Sequence, residues 1–265
     1  MEDIYSEMTA VSRQIAASFP SPRFYTCCRR FLTLSQSLFS EDPQISKCRA
    51  IVHQELKNNQ GHGQDHVEKV AVEAGALLYL EAEKRSMGEA GKQRAGVLVQ
   101  MAGLLHDLCR GEKNHARLGA AAAGKILRNF PFSPEEERMI VGAIANHEAF
   151  LEPQPIVSPL GQLVSDVLYD ADKFRWGPDN FTLTLWEMLR FSRAPIVRLI
   201  QRFPKGMKGI ARIKETFRTP SGKTYGPEFI DLGLMIGEKI YQFLQERFAE
   251  ELSQGRNGRD DAETQ

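Results

Sequence analysis

The chain reads Ala95-Gly96-Val97-Leu98-Val99-Gln100-Met101-Ala102-Gly103-Leu104-Leu105-His106-Asp107 in the stretch that decides its fold. Nearly every position before the final pair is apolar, which predicts a helix buried at the centre of the molecule. The final imidazole and carboxylate are costly to bury unless something pairs with them. A divalent metal ion pairs well with both groups, so this stretch predicts a central helix that ends at a metal site.

The segment before this stretch has the spacing of an amphipathic helix. Its apolar residues recur at intervals of three and four positions: Val67, Val70, Ala74, Leu77 and Leu78. This period predicts one helix from about Asp65 to Lys84. A break at 87–91 separates it from the central helix, which we expect to run from about Gln93 to Leu108.

Three further helices are predicted directly after the central one. The first begins near His115. The second opens at Ser133-Pro134-Glu135-Glu136, with Ser at the N-cap, Pro at the first helical position and Glu at the third, and we expect it to continue through His147. The third is expected from Leu160 to Asp172, because its apolar residues recur at helical spacing.

The C-terminal part is also predicted to be helical. Asp179 is expected to cap one helix and Pro227 to open a long last one, while 219–226 suggests a short hairpin or structured loop. Because alternating strand patterns are missing, we predict an all-α bundle with one core. We expect an N-terminal helical extension (1–60), a metal-binding core (61–176), C-terminal helices that complete the same domain (177–253) and a disordered tail (254–265).

The charge of the chain is balanced overall but unevenly distributed. The 265 residues include 34 Lys plus Arg and 34 Asp plus Glu, so net charge gives no general attraction to nucleic acid or membrane. The segment from Arg190 to Tyr225, however, contains ten basic residues and only one acidic residue, Glu215. This basic stretch is either a solvated helical face or a positive rim that draws a phosphorylated ligand to the site.

Cysteine usage and hydropathy indicate the compartment. The chain has four cysteines, which form no zinc-type pair, and its N-terminus has no secretory signal pattern. No apolar run is long enough to span a membrane. We therefore expect a cytoplasmic protein without a membrane partner.

Four residues spread along the chain form an ordered set: His66, His106, Asp107 and Asp172. In this order they resemble the H…HD…D signature of the HD superfamily of metal-dependent phosphohydrolases. The flanking text is similar as well, at Gly61–Val67, at Ala102–Asp107 and at Asp170–Lys173. The resemblance covers roughly 61–176 and implies an HD-domain-like helical bundle with extra helices at both ends. It also implies that the four residues hold a divalent ion.

Two more histidines bear on the number of ions. His115 lies in a segment similar to the H-x-x-x-G segment of two-metal HD branches, and His147 in one similar to their H-H-E segment, with Asn146 in place of the first His. Because of this Asn, we favour one ion over two, with His115 and His147 binding or protonating phosphate. The metal is left open among Mn, Mg, Ni, Co, Fe and Zn, because His and Asp ligands accept several divalent ions.

The resemblance implies hydrolysis of a phosphoester by a metal-activated water. The catalytic candidates are Asp107, which is also a ligand, and the acid–base groups His147, Glu148 and Glu112. The substrate-binding candidates are Arg110, Lys113, His115 and Lys173, whose charges suit phosphate. We expect a small phosphorylated substrate, with a nucleotide as the first choice and nucleic acid as a minor possibility; the sequence gives no oligomeric state.

Other interpretations of these residues stay open. A His–Asp pair taken alone is commonly a buried hydrogen-bonded pair, and Asp172 alone would pair with Lys173 or Arg175. Among functions, a di-iron oxygenase with an HD-type site is the first alternative to a phosphohydrolase. A catalytically inert module that binds a nucleotide is the second.

Overall fold

The computed structural model describes residues 4–56 and 63–253. The expected tail at 254–265 and His62 lie outside the described residues. The helices, in chain order, are α1 (Ile4–Ala16), α2 (Phe24–Cys27), α3 (Arg29–Glu41), α4 (Pro43–Glu55), α5 (Gln64–Lys84), α6 (Glu89–Leu105), α7 (His115–Leu127), α8 (Pro134–Ala145), α9 (Pro159–Phe174), α10 (Leu185–Ser192), α11 (Ile196–Ala211) and α12 (Pro220–Arg247). A π-helical turn (Asn180–Thr184) precedes α10, and a 3-10 turn (Arg212–Glu215) follows α11. Every regular element in the described ranges is helical, which confirms the predicted all-α class.

Helices α5 and α6 form the centre of the bundle. They pack against each other over much of their length, and the last part of α6, from Ala95 to Leu105, is entirely buried as predicted. Their backbones approach most closely at Gly103, where an added Cβ would lie 2.6 Å from the Cα atom of Ala71. Only glycine permits this approach, which brings the start of α5 beside the end of α6.

The helices after α6 surround this central pair. Helix α8 packs against α7 and α9, and α9 packs against α5. The predicted capping box of α8 is confirmed, because the Ser133 side chain accepts from the Glu136 amide while the Glu136 carboxylate accepts from the Ser133 amide. The prediction that α8 continues through His147 is wrong. The helix ends at Ala145, because the side chain of Asn146 pairs with the backbone of Gln154 and turns the chain.

Three predictions for the C-terminal part are also wrong. Residues 219–226 form neither hairpin nor loop, because α12 starts at Pro220 with the Thr219 hydroxyl accepting from the Gly222 amide at 2.8 Å. Pro227 therefore lies inside α12 instead of opening it. Asp179 precedes the π-helical turn but makes no side-chain cap, because its carboxylate pairs with Lys69 and Arg175.

The buried apolar residues form one cluster that extends from Met8 to Phe248. The fourfold division of the chain made from the sequence stays a prediction. In the basic stretch, α11 turns Ile200 and Phe203 inward and exposes its cations, as expected of a solvated helical face. Among the described helices, none combines the length and the hydropathy needed to cross a membrane.

Candidate metal centre

Three helices deliver the four predicted ligands to one place. His66 lies in the first turn of α5, His106 caps the end of α6 and is followed by Asp107, and Asp172 lies in the last turn of α9. All four side chains are buried. His66 and Asp172 line a cleft of about 410 Å³, whereas His106 and Asp107 are fully buried and do not line it.

The ligand atoms of these residues face a common point. The Nε2 atoms of His66 and His106 lie 3.3 Å apart. His66 Nε2 is 3.5 Å from both Asp107 Oδ2 and Asp172 Oδ1, and His106 Nε2 is 3.5 Å and 3.7 Å from the same two oxygens. Ligands at roughly 2.1 Å from one ion stand about 3.0–3.4 Å apart. His66, His106 and Asp107 therefore have nearly the spacing of a mononuclear site, and Asp172 Oδ1 lies beside both imidazoles.

The tautomer of His106 suits metal binding. Its Nδ1 lies 2.7 Å from the backbone carbonyl of Gly103, which is an acceptor, so Nδ1 carries the proton. The lone pair of Nε2 is then directed at the common point, and the Gly103 carbonyl fixes the ring. His147 is held in the same way by a 2.6 Å contact of Nδ1 with the Ile144 carbonyl.

The charges of the site are strongly coupled. Burial would lower the pKa of His106, but the carboxylates of Asp107 and Asp172 raise it overall. Burial would raise the pKa of Asp172, yet Lys173 and the imidazoles hold it well below its usual range. Burying the two carboxylates is unfavourable unless a positive charge lies nearby, and a divalent ion would provide that charge.

Lys173 provides part of this positive charge. Phosphate binding was predicted for it, but its side chain is buried and its Nζ lies 2.5 Å from Asp172 Oδ2 and 2.9 Å from the His147 backbone carbonyl. It also borders the cleft. The main contacts of Lys173 are thus to the protein, and they fix Asp172 and the loop that carries His147.

A second donor group adjoins the first. Asp107 directs Oδ1 toward His147, whose Nε2 is 3.5 Å away, and His115 lies close enough to join them around one ion. The buried Nε2 of His147 has no hydrogen-bond partner among the described residues. Asp107 thus faces both groups, with one oxygen directed at each.

Arg110 lies beside this second group. Its Nη1 is 2.9 Å from His115 Nε2 and 3.9 Å from Asp107 Oδ1. Burial lowers the pKa of His115 to about 4, with His147 and Arg110 adding to the effect, so the ring is neutral at pH 7. His115 therefore accepts a hydrogen bond from the guanidinium, and the charge of Arg110 lies near the place that a second ion would need.

The loop that carries His147 is fixed on two sides. The side-chain amide of Asn146 donates a 2.8 Å hydrogen bond to the Gln154 carbonyl and accepts one of 2.9 Å from the Gln154 amide, so this side chain holds the loop in place. The backbone carbonyl of Asn146 accepts a 2.9 Å hydrogen bond from the guanidinium of Arg218. Sequence reasoning missed Arg218, since nothing distinguished it from the other bases of the basic stretch.

The remaining predicted residues divide into two groups. Glu148 lines the cleft, with Oε2 3.8 Å from His115 Nδ1. Glu112 and Lys113 are exposed on the turn before α7 and are not among the residues that line the cleft. The structure thus does not bring these two to the site. Trp176 also lines the cleft, while Phe174 is in the core and stacks on Phe229.

Comparison with known proteins yields one similar solved structure to report. It is the crystal structure of a predicted HD superfamily hydrolase from an uncultured Thermotogales bacterium, with 20% sequence identity, 83% of this chain and 97% of that chain covered, and a TM-score of 0.43. No family model matches the chain, and no curated protein matches it. The similar structure carries the family name that the sequence motifs suggested. The residues of this chain, and not that likeness, support the assignment of a metal centre.

Proposed function

We propose that the protein is a metal-dependent phosphohydrolase that hydrolyses a phosphoester of a small phosphorylated compound. The observation that carries this proposal is the convergence of His66, His106, Asp107 and Asp172, from three helices, on one buried point at the floor of an open cleft. Packing alone does not require two imidazole nitrogens 3.3 Å apart beside two carboxylates. A metal ion accounts for this arrangement.

The ligand set fits a divalent ion of borderline character, because it combines two imidazoles with two carboxylates. Mn, Mg, Ni, Co, Fe and Zn remain the candidates. When bound, such an ion polarises a phosphoryl oxygen and lowers the pKa of a coordinated water. The protein contributes the fixed tautomer of His106, the charge of Lys173 beside Asp172, and a cleft that admits the substrate from one side.

We propose one ion in preference to two. The guanidinium of Arg110 lies 2.9 Å from His115 Nε2, so a fixed positive charge already adjoins the second donor group. A second divalent ion there would be repelled by Arg110. Asn146, which replaces a histidine of the two-metal pattern, is engaged with Gln154. These two observations also weigh against a di-iron oxygenase.

The second donor group suits a phosphoryl group of the substrate. Arg110 provides a charged donor at the cleft wall, and His147 and Glu148 are the acid–base groups that border the same cleft. We assign Arg110 to phosphate binding, and His147 or Glu148 to proton transfer with the attacking water or leaving oxygen. A nucleotide substrate and a cytoplasmic location remain predictions, as does the minor role of nucleic acid.

Metal analysis followed by a hydrolysis screen tests the proposal. The purified protein should contain close to one equivalent of a divalent ion and release phosphate from an aryl phosphate, an aryl phosphodiester or a nucleotide when Mn²⁺, Ni²⁺, Co²⁺ or Mg²⁺ is added. Asp107→Ala should lose both metal and turnover while keeping the helical circular dichroism spectrum. Asp231→Ala, an exposed acid in α12, is the matched control and should lose neither.

Three results would contradict the proposal in different ways. Full turnover by Asp107→Ala would remove the metal centre from the mechanism. Tight nucleotide binding without turnover under any ion would instead support the inert nucleotide-binding module. Iron content together with an oxygen-dependent optical signal would identify the oxygenase.

A further inference from the structure

An apolar groove adjoins the cleft that holds the metal centre. This groove has a volume of about 210 Å³ and lies between the π-helical turn, α10 and α11. Its apolar lining consists of Phe181, Leu185, Leu199, Phe203, Met207 and Ile210. Asn180 and Leu185 line both the groove and the cleft, so the two cavities are neighbours across these side chains.

The chemistry of the groove differs from that of the cleft. The cleft floor carries imidazoles, carboxylates and cations, whereas only Asn180 and Arg202 contribute polar side chains to the groove. Replacing the water on such a surface by an apolar group lowers the free energy. A hydrogen-bonding group, by contrast, finds few partners there. The edge of a nucleobase would leave most of its donors and acceptors unpaired there.

The wall of the cleft that leads to the groove is also apolar. Leu185 and Met188 are one turn apart on α10 and both line the cleft, where Phe150 joins them. Met188 and Phe150 are 46% and 49% exposed, which is high for large apolar side chains. The apolar side chains of the cleft thus include Leu185, which also lines the groove.

We propose that the groove binds an apolar substituent of the phosphoester, the alkyl or aryl part of its alcohol, while the phosphoryl group lies at the metal centre. This inference rests on the proposed function and narrows it to amphiphilic phosphoesters. In the reaction the P–O bond to the apolar alcohol breaks. The alcohol oxygen takes up a proton, and the oxygen of water forms the new P–O bond.

The two glycines of α11 allow a matched test. Gly206 lines the groove, and a Cβ added there would meet no atom within 4 Å. Gly209 has the same open surroundings one turn later but does not line the groove. Gly206→Phe should therefore obstruct the groove without disturbing the core, and Gly209→Phe adds the same ring to the same helix elsewhere.

The experiment compares ethyl, butyl, hexyl and octyl phosphate as substrates of the metal-loaded protein. For the wild type and Gly209→Phe, kcat/KM should rise about threefold to fourfold per added methylene until the groove is filled, the gain expected for burying each one. Gly206→Phe should flatten this dependence, so that its kcat/KM for octyl phosphate stays within about twofold of its own value for ethyl phosphate. Calorimetric binding of the same series to the metal-free protein gives a second readout that needs no turnover.

The possible outcomes separate this inference from the proposed function. Turnover that is independent of chain length, or higher for nucleotides than for octyl phosphate, would overturn the apolar site and leave a phosphohydrolase. Binding that strengthens with chain length and is weakened by Gly206→Phe supports the groove even if no ester is hydrolysed, in which case only the proposed function fails. A wild-type dimer that Gly206→Phe alone converts to monomer would show that the groove is a subunit interface and overturn the inference.

Discussion

The Nζ atom of Lys173 donates a hydrogen bond of 2.9 Å to the backbone carbonyl of His147, which lies on the loop after α8. The same ammonium group lies 2.5 Å from Asp172 Oδ2. One buried cation thus joins a proposed metal ligand to the loop that carries a proposed acid–base group. The geometry of the two halves of the site is therefore coupled.

Lys173→Met should destabilise the metal-free protein by about 3–5 kcal/mol, the usual cost of leaving a buried charge without its partner. Methionine fills a similar volume, so the loss should come mainly from the uncompensated Asp172. A divalent ion should recover part of the loss, because it supplies positive charge at the same carboxylate. Urea unfolding with EDTA and with Mn²⁺ measures both effects.

Lys223→Met on α12 provides the comparison for Lys173→Met, because Lys223 is exposed and its replacement should change stability by less than about 0.5 kcal/mol. An equal loss of stability for Lys173→Met in EDTA and in Mn²⁺ would show that Lys173 does not share Asp172 with the ion.

Arg218→Met should reduce turnover without removing the metal. Its guanidinium donates to the Asn146 carbonyl at 2.9 Å and stacks 3.6 Å over the Tyr169 ring, so it holds the residue before His147. Methionine retains some packing but cannot donate, and a displaced His147 should lower kcat about ten- to hundredfold. Stopped assays give kcat, and metal analysis should still show one equivalent. Loss of metal in the variant, or kcat equal to that of the exposed-site control Lys208→Met, would contradict this role.

The sequence predicted the residues of the metal centre better than the residues around it. His66, His106, Asp107 and Asp172 form an ordered set with recognisable flanking text, and the structure brings them together. Arg218 has no such signal, because its role depends on where the segment before α12 lies relative to Asn146. Closeness in sequence was also a poor guide to the substrate-binding residues. Lys113 lies near the His–Asp pair in the chain, but it is exposed and does not line the cleft.

Gly103→Ala should destabilise the protein and weaken metal binding together. The added Cβ would lie 2.6 Å from the Ala71 backbone, so α5 and α6 must separate near the turn that carries His106. Overpacking of this kind costs about 1–3 kcal/mol. Gly209→Ala, where open space surrounds the added methyl, should instead be neutral or stabilising by up to about 1 kcal/mol. Thermal unfolding and a metal titration of both variants check the prediction, and unchanged metal affinity in Gly103→Ala would show that the close approach does not set the distance between the imidazoles.

Not every helix boundary followed from a local signal. Ser133 and Glu136 form the expected capping box, because both partners lie within one turn of sequence. The early end of α8 depends on Gln154, which lies eight residues beyond Asn146 on a loop without periodicity. At α12 the cap Thr219 before Pro220 is equally local but went unrecognised among the glycines of 219–226; its hydroxyl also donates to Asp170 on α9.

Glu136→Gln should lose a stabilising contribution that depends on pH. Hydrogen bonds from Arg94 on α6 are the largest cause that lowers the pKa of Glu136, from 4.5 to about 2. Because the folded pKa lies below the unfolded one, the Arg94 pair stabilises the fold above about pH 4.5, and this contribution is lost as the pH falls toward 2.

Glutamine at position 136 retains an acceptor for the Ser133 amide but carries no charge. The variant should therefore be less stable than wild type by about 1 kcal/mol at pH 7, discounted for partial exposure, with the difference shrinking between pH 4.5 and pH 2. Urea unfolding of both proteins across this range measures the difference, and a gap that stays constant with pH would show that the pair with Arg94 does not cause it.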